Sequence, residues 1–401
     1  MTIHTTDILV SGGGLAGLIA AIAFAKAGFD TVCVDPNPPI TTKDAEGADL
    51  RTTAYLQPAQ SFLAELGIWD AFADHAMPLD IMRIIDAGGT ETPPVPRVTK
   101  DFKSQELSHL PFGWNIPNWL ARRVLMEQVD TLPNLTFLGG VRCDRLFTRN
   151  TEARVTLSNG VQMRAKLVIA ADGRTSAMRE QSGIDVKTTR FGQKALAFAV
   201  THPIPHENVS TEIHRSGGPF TLVPLPDVDN TPCSAVVWME TGPNAARLSA
   251  LPEDDFNAEM TQRSCSILGP LTLASRRTVW PIIAQIADRL AGQRVALVAE
   301  AAHVVPPIGA QGLNMSLNDI RALRDLAVEY GHDVGTTAML DRYHTDRFRD
   351  IQMRVTGITL LNKTSMMDAQ PLRDLRAGGI NALYALPQIR QMLMKMGLGA
   401  A

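Results

Sequence analysis

The sequence predicts an α/β protein in which a Rossmann-like nucleotide-binding domain is interrupted by an antiparallel β-sheet domain and followed by helices. Three observations predict it. Near the start, the glycine-rich turn Gly12-Gly13-Gly14-Leu15-Ala16-Gly17 joins a buried strand to a helix. Further on, two apolar strands deliver Asp172-Gly173 and the loop from Ala299 through His303 to Asn314. Between these last two, residues 183–280 change to alternating apolar and polar residues punctuated by proline, the texture of an antiparallel sheet.

Each element has a local reason. Ile8, Leu9 and Val10 read as a buried strand, and residues 15–27, rich in alanine, as a helix. Gly12 permits the tight turn, Gly14 lets the backbone approach a pyrophosphate, and Gly17 lets helix and strand pack closely. The N–H groups of Leu15, Ala16 and Gly17, at the helix start, suit phosphate oxygens. A second strand, Thr31-Val32-Cys33-Val34, ends in Asp35, about 20 residues past the glycines, where a carboxylate accepts ribose hydroxyls and repels a 2′-phosphate.

Residues 8–25 carry no charge, which raises the question of a membrane span. Four glycines interrupt them, and Asp7 with no Lys or Arg precedes them, so neither a span nor a signal peptide is expected.

The 401 residues suffice for two domains, and the net charge of -3 without a basic stripe excludes a general affinity for nucleic acid. Cys33, Cys143, Cys233 and Cys265 are scattered, with no CxxC spacing, so neither a zinc site nor a disulfide framework is expected. A reducing, cytoplasmic setting fits.

Further along, Arg51-Thr52-Thr53-Ala54 leads into a helix through Leu63 and Leu66, and residues 119–132 have helical apolar spacing. Asn159-Gly160 between alternating residues predicts a hairpin. Pro203, Pro205, Pro219, Pro224 and Pro226 mark turns or edges of the second sheet. A helix over 313–330 places Leu317, Ile320, Leu323 and Ala327 on one face, with Gly331 as its stop. The expected division is residues 1–75, 113–182 and 281–330 for the nucleotide-binding domain, 76–112 and 183–280 for the sheet domain, and 331–401 for C-terminal helices.

With these motifs in place, nearly the whole chain resembles the class A FAD-dependent aromatic hydroxylases. That family has a dinucleotide fingerprint, a middle DG motif matched by Asp172-Gly173-Arg174-Thr175-Ser176-Ala177-Met178-Arg179, and a late GDAAH-xx-PP-x-G-xx-G-x-N motif. The last stands here as Ala299-Glu300-Ala301-Ala302-His303, then Pro306-Pro307-Ile308-Gly309-Ala310-Gln311-Gly312-Leu313-Asn314. Within the family, stretches such as Phe191-Gly192-Gln193 and Gly218-Pro219-Phe220 look most like the ubiquinone-biosynthesis hydroxylases of polyprenylphenols. The family's Gly-Asp is Ala299-Glu300 here, so a longer acid would reach the flavin ribityl chain.

The resemblance implies bound FAD, NADH or NADPH as a transient reductant, and O2 as co-substrate, with a flavin C4a-hydroperoxide attacking an electron-rich ring. It places Asp35, Arg51, Asp172 and Glu300 on the cofactor. Asp172 and Arg179 serve the nucleotides or else pair with each other. Pro307, Gly309 and Gly312 wall the flavin face, and backbone N–H groups at Leu313 and Asn314 stabilise charge near flavin N1 and O2. His303 is a general base or, as we favour, a brace of its loop. Phe198, Phe220, Leu222, Val223 and Trp238 line a substrate channel or the core. The apolar tail over 380–398 packs on its own domain or touches a membrane surface. The function expected is hydroxylation of a polyprenylated phenol. Alternatives are a soluble aromatic substrate, or a flavin-binding subunit kept for contacts with other quinone-biosynthesis proteins.

Overall fold

A computed structural model describes residues 3–398; residues 1–2 and 399–401, the outermost ends of the first and last expected segments, lie outside the described residues. One sheet runs in the order Ala291–Gly292, Val295–Leu297, Gln162–Ala170, Ile3–Ser11, Thr31–Asp35, Leu135–Gly139. Along this order the pairings are parallel apart from the Ala291–Gly292 edge, and Ala153–Leu157 and Cys143–Thr148 branch off it as antiparallel strands. Ile8, Leu9, Val10, Leu167, Val168 and Ile169 are fully buried, as strands covered on both faces require. The helix Leu15–Lys26 packs on Asn118–Val129 and Gln311–Tyr330, its alanines allowing close approach.

The expected hairpin is present: Ala153–Leu157 pairs antiparallel with Gln162–Ala170, Val155 opposite Met163, and Gly160 turns at a φ of 83°. Arg51 precedes a strand, Thr52–Leu56, and the helix Gln57–Glu65 follows it. That strand pairs with Gly113–Pro117 in a small sheet.

The second sheet has nine strands. All its pairings are antiparallel except Val209–His214 with Ile81–Asp86. Its strand Thr278–Ala287 pairs with Val186–Thr201, so it runs through residue 281, where the sequence suggests a return to the first domain. Pro203 and Pro205 lie in the loop after Val186–Thr201, but Pro219, Pro224 and Pro226 belong to the strand Pro219–Val228, not to turns. Pro219 opens the strand, and the ladder to Val209–His214 has run out by Pro224, so its missing N–H breaks no hydrogen bond on that side. On the other side Pro224 is opposite Ser234.

Two faces of this sheet differ. Leu196, Phe198, Val200, Phe220, Leu222, Val236 and Trp238 pack against Ala245, Leu248, Phe256 and Met260 of two covering helices. Four of the five side chains considered for a substrate channel, all but Val223, are therefore core. Each contributes about 1.5–3 kcal/mol of burial there. Among the described residues, three further helices follow, Thr337–Ser365, Gln370–Ala385 and Pro387–Leu398.

Candidate active site

Parallel pairing brings the three glycine-bearing segments together. Ser11 lies opposite Ala170, and Ala170 opposite Leu297, so the strands all end at one edge and their loops leave side by side. Ligands bind at that carboxyl edge in open α/β sheets. Gly12 turns at a φ of 108°, and a β-carbon there would meet the Ala171 carbonyl oxygen at 2.3 Å. A β-carbon on Gly17 would meet the Gly12 carbonyl oxygen at 1.8 Å. These two glycines serve the protein's own packing.

Gly14 is different. Its φ of -68° suits any residue, and no atom lies within 4 Å of where its β-carbon would stand. It is the N-cap of Leu15–Lys26, with no side-chain cap, so the N–H groups of Leu15, Ala16 and Gly17 are left without a side-chain acceptor. This is a cradle that fits a pyrophosphate. Asp35 closes its far side: its carboxylate accepts the Gly13 N–H at 2.6 Å and the Asn37 N–H at 2.8 Å.

The late segment forms a second uncapped helix start. Pro307, Gly309 and Gly312 are exposed along it, Gly309 with a φ of 64°, and a β-carbon on Gly312 would meet nothing within 4 Å. Gln311–Tyr330 then begins with no side-chain cap, leaving the N–H groups of Gly312 and Leu313 available to a ligand. Asn314 does more than contribute backbone. Its Oδ1 accepts the Leu56 N–H at 2.9 Å, while its Nδ2 donates to the carbonyls of Ala54 and Ala310 at 2.7 and 2.6 Å. It thereby clips the strand Thr52–Leu56 to the helix start.

That strand carries Arg51 at its foot. The guanidinium pairs with Asp49 at 2.7 Å and stacks on Trp280 at 4.2 Å. Burial alone would lower its pKa, but Asp49 and, next, the negative field of Glu300 raise it above the ordinary arginine value. The Asp49 carboxyl, for which burial is outweighed by Arg51 and Asn118, is held below its ordinary range. Glu300 is exposed and close enough to act on Arg51, so the substituted acid and the arginine share one region.

Ala299 adopts a φ of 55°, a left-handed conformation that glycine takes freely. The Ala299→Gly variant is expected to gain about 0.5–1 kcal/mol, the relief of that strain exceeding the extra flexibility glycine gives the unfolded chain. Thermal unfolding checks this, and an unchanged or lower Tm would refute it.

Asp172 and Arg179 do not pair with one another. The Asp172 carboxylate accepts from the Ser176 hydroxyl and the Met178 N–H, capping the helix Ala177–Gln181 with Ser176. Burial is the main cause of its raised pKa, against the lowering effect of those hydrogen bonds. Arg179 is buried and donates to the Ala301 and Arg174 carbonyls at 3.0 and 3.1 Å, which ties the middle motif to the late one. Of the two alternatives for this pair, mutual pairing is therefore excluded, because each side chain is engaged elsewhere.

His303 is 1% exposed, and its Nε2 donates to Asp319 at 2.6 Å. Asp319, fully buried, also takes Arg347 Nε at 2.9 Å. The imidazole thus braces the loop against two helices. Sequence reading missed Asp319, Trp280 and the Asn314 side-chain clip; only the close Asp49–Arg51 spacing offered a local signal.

Facing this region, the second sheet carries a run of alanines beside Trp280. Ala195 is opposite Trp280 and therefore on its face, as are Ala197, Ala199, Ala235 and Val237 by register. Asn115 donates to the Pro224 carbonyl at 2.9 Å and fixes the small sheet against it.

A parallel sheet feeding a glycine cradle at its carboxyl edge, with a second sheet opposite, defines the class of dinucleotide-binding proteins. Residues 5–357 match the family model described as FAD binding domain. The chain is 31% identical over 396 residues to ubiquinone hydroxylase UbiL of Rhodospirillum rubrum, covering 98% of this chain and 89% of that one. It is 26% identical over 402 residues to 3-demethoxyubiquinol 3-hydroxylase of Escherichia coli, covering all of both. Among solved structures, p-nitrophenol 4-monooxygenase PnpA of Pseudomonas putida superposes with a TM-score of 0.78 at 18% identity, covering 99% of each chain. The chain belongs to this FAD-binding family of flavin-dependent aromatic-ring monooxygenases, and FAD is its cofactor.

Proposed function

We propose that this enzyme hydroxylates the aromatic ring of a polyprenylated phenol in ubiquinone synthesis, with NADH or NADPH as reductant. The observation that carries the flavin-dependent part is Gly14, a glycine that neither backbone angle nor packing demands. The substrate class rests on the full-length likeness to relatives named for ubiquinone chemistry.

In this reading Gly12, Gly14, Leu15, Ala16 and Gly17 hold the pyrophosphate and Asp35 the adenosine ribose. Arg51, Asp172 and Glu300 line the remainder of the cofactor. Bound FAD supplies hydride acceptance and oxygen transfer from O2 to the ring. Pro307 and Gly309 wall off water, and N–H groups at Gly312, Leu313 and Asn314 stabilise negative charge on the reduced ring system. His303 positions that loop. Segments 1–75, 113–182 and 281–330, apart from the strand Thr278–Ala287 that belongs to the second sheet, hold the cofactor; 76–112 and 183–280 hold the substrate against the alanine-rich sheet face.

Mass spectrometry of prenylated lipids in a strain lacking this gene tests the proposal. The expected result is an accumulated polyprenylphenol missing one oxygen, whose structure names the ring position. Normal ubiquinone with no such precursor would refute it and point to a soluble aromatic. Restoration of quinone synthesis by a folded, flavin-free variant would indicate an assembly role instead.

A further inference from the structure

The C-terminal helices are amphipathic in the inverted sense. In Gln370–Ala385 the buried contacts are charged: Arg376 Nε donates to Asp86 at 2.8 Å, and Asp86, fully buried, also takes Arg97 at 2.7 Å. Arg97 reaches on to Asp374 at 2.5 Å. The Tyr384 hydroxyl donates to the Asp101 carbonyl at 2.8 Å, and Arg390 of the last helix pairs with Glu106 at 2.7 Å. Polar anchors thus fasten both helices to the second sheet, while Leu372, Leu375 and Leu383 face outward, Leu375 at 70% exposure.

Pro387–Leu398 has two apolar faces. Met394 and Leu398 pack with Leu56 and Phe112, and Gly397 accepts a hydrogen bond from Gln311 at 2.7 Å, beside the flavin loop. Its outward stripe is Ile389, Met392, Leu393 and Met396, spaced as one helix face; the last three are exposed. Met353, Leu360 and Leu361 make a similar exposed row on Thr337–Ser365. Apolar rows on three successive helices are more than a monomer in water ordinarily leaves uncovered.

We infer that this outward face is a docking surface for an anionic lipid membrane. Charge selects the occupant. Of the five basic side chains in residues 363–398, Arg376 and Arg390 are taken up by Asp86 and Glu106, which leaves Lys363, Arg373 and Lys395 against the exposed Asp368, and no Asp or Glu follows Asp374. Lys363 and Lys395 are exposed among the apolar rows, whereas Asp374 is already bound by Arg97. A second copy would set like charge against like; an anionic headgroup layer complements it. Among the described residues no helix is long and apolar enough to cross a membrane, so the contact is interfacial. Because the inner face of the last helix touches Leu56 and Gln311, docking would hold the loop at the active site close to the bilayer. The inference is independent of which compound is oxidised.

The experiment is co-sedimentation of the full-length FAD-loaded protein with vesicles of phosphatidylcholine alone or mixed with phosphatidylglycerol. Binding to the mixed vesicles is expected, weakened by high salt. The Leu375→Glu, Met392→Glu double variant should bind about tenfold or more weakly, and Lys363→Glu with Lys395→Glu about tenfold. All four positions are exposed, so Tm and FAD content should stay unchanged, which separates docking from folding. No sedimentation with either vesicle, or sedimentation indifferent to these variants, would overturn the inference. So would a dimer in analytical ultracentrifugation that the Leu375→Glu, Met392→Glu variant converts to monomer, since the face would then be a homodimer interface.

Discussion

The Gly14→Leu variant is expected to fold normally and to purify without flavin. The backbone angle at Gly14 accepts leucine, and no protein atom lies within 4 Å of the new β-carbon. The side chain therefore enters the space in front of the helix N-terminus and excludes the pyrophosphate. Affinity should fall by about a hundredfold or more, the loss of roughly 3 kcal/mol. Gly17→Leu makes the contrast: its β-carbon would stand 1.8 Å from the Gly12 carbonyl, so the turn itself must move and stability falls with flavin content. Flavin absorbance after purification, with thermal unfolding of the apoproteins, reads both. A Gly14→Leu protein that keeps FAD would remove the basis for placing the cofactor there.

The second large effect is expected at Asp319. Asp319→Ala leaves the imidazole of His303 and the guanidinium of Arg347 facing each other without the carboxylate between them. Removing one partner from a buried ionic set costs about 3–5 kcal/mol. The loop 299–310 should loosen with it, lowering FAD affinity as well as Tm. Asp319→Asn keeps the shape and one acceptor, and should lose distinctly less. A Tm within a degree of the parent protein for Asp319→Ala would show that this set is not the brace.

Where geometry is dictated by neighbours in the chain, the sequence was readable. The Gly12–Gly17 turn, the Asn159-Gly160 hairpin and the helix stop at Gly331 each follow from a few adjacent residues. The convergence of the three motifs was readable too, since parallel strands can only release their loops at a common edge. Alternation along the second sheet revealed two faces without saying which one the covering helices would take. Phe198, Phe220, Leu222 and Trp238 therefore stood as channel candidates until Ala245, Leu248, Phe256 and Met260 were seen against them. Proline was misread for a similar reason: the end of a partner strand, invisible locally, frees Pro224 on one side within its own strand. Sequence left open whether Asp172 and Arg179 pair, because the arginine's acceptors, Ala301 and Arg174, are carbonyls, and backbone acceptors leave no trace in composition.

The Asn314 clip sets a timetable for biogenesis. Its partner at the Leu56 N–H lies 258 residues earlier, so strand Thr52–Leu56 has no fixed neighbour on that side until the helix Gln311–Tyr330 leaves the ribosome. Closing a loop of that length costs only slightly more than closing a shorter one, but the contact must be found late and across the whole molecule. The nascent chain can fold its first βαβ unit early, whereas the helix start at Gln311 is clipped to Thr52–Leu56 only once residue 314 has emerged. A flavin held between the Gly14 helix start and this one would therefore be captured only after both are in place, late in folding.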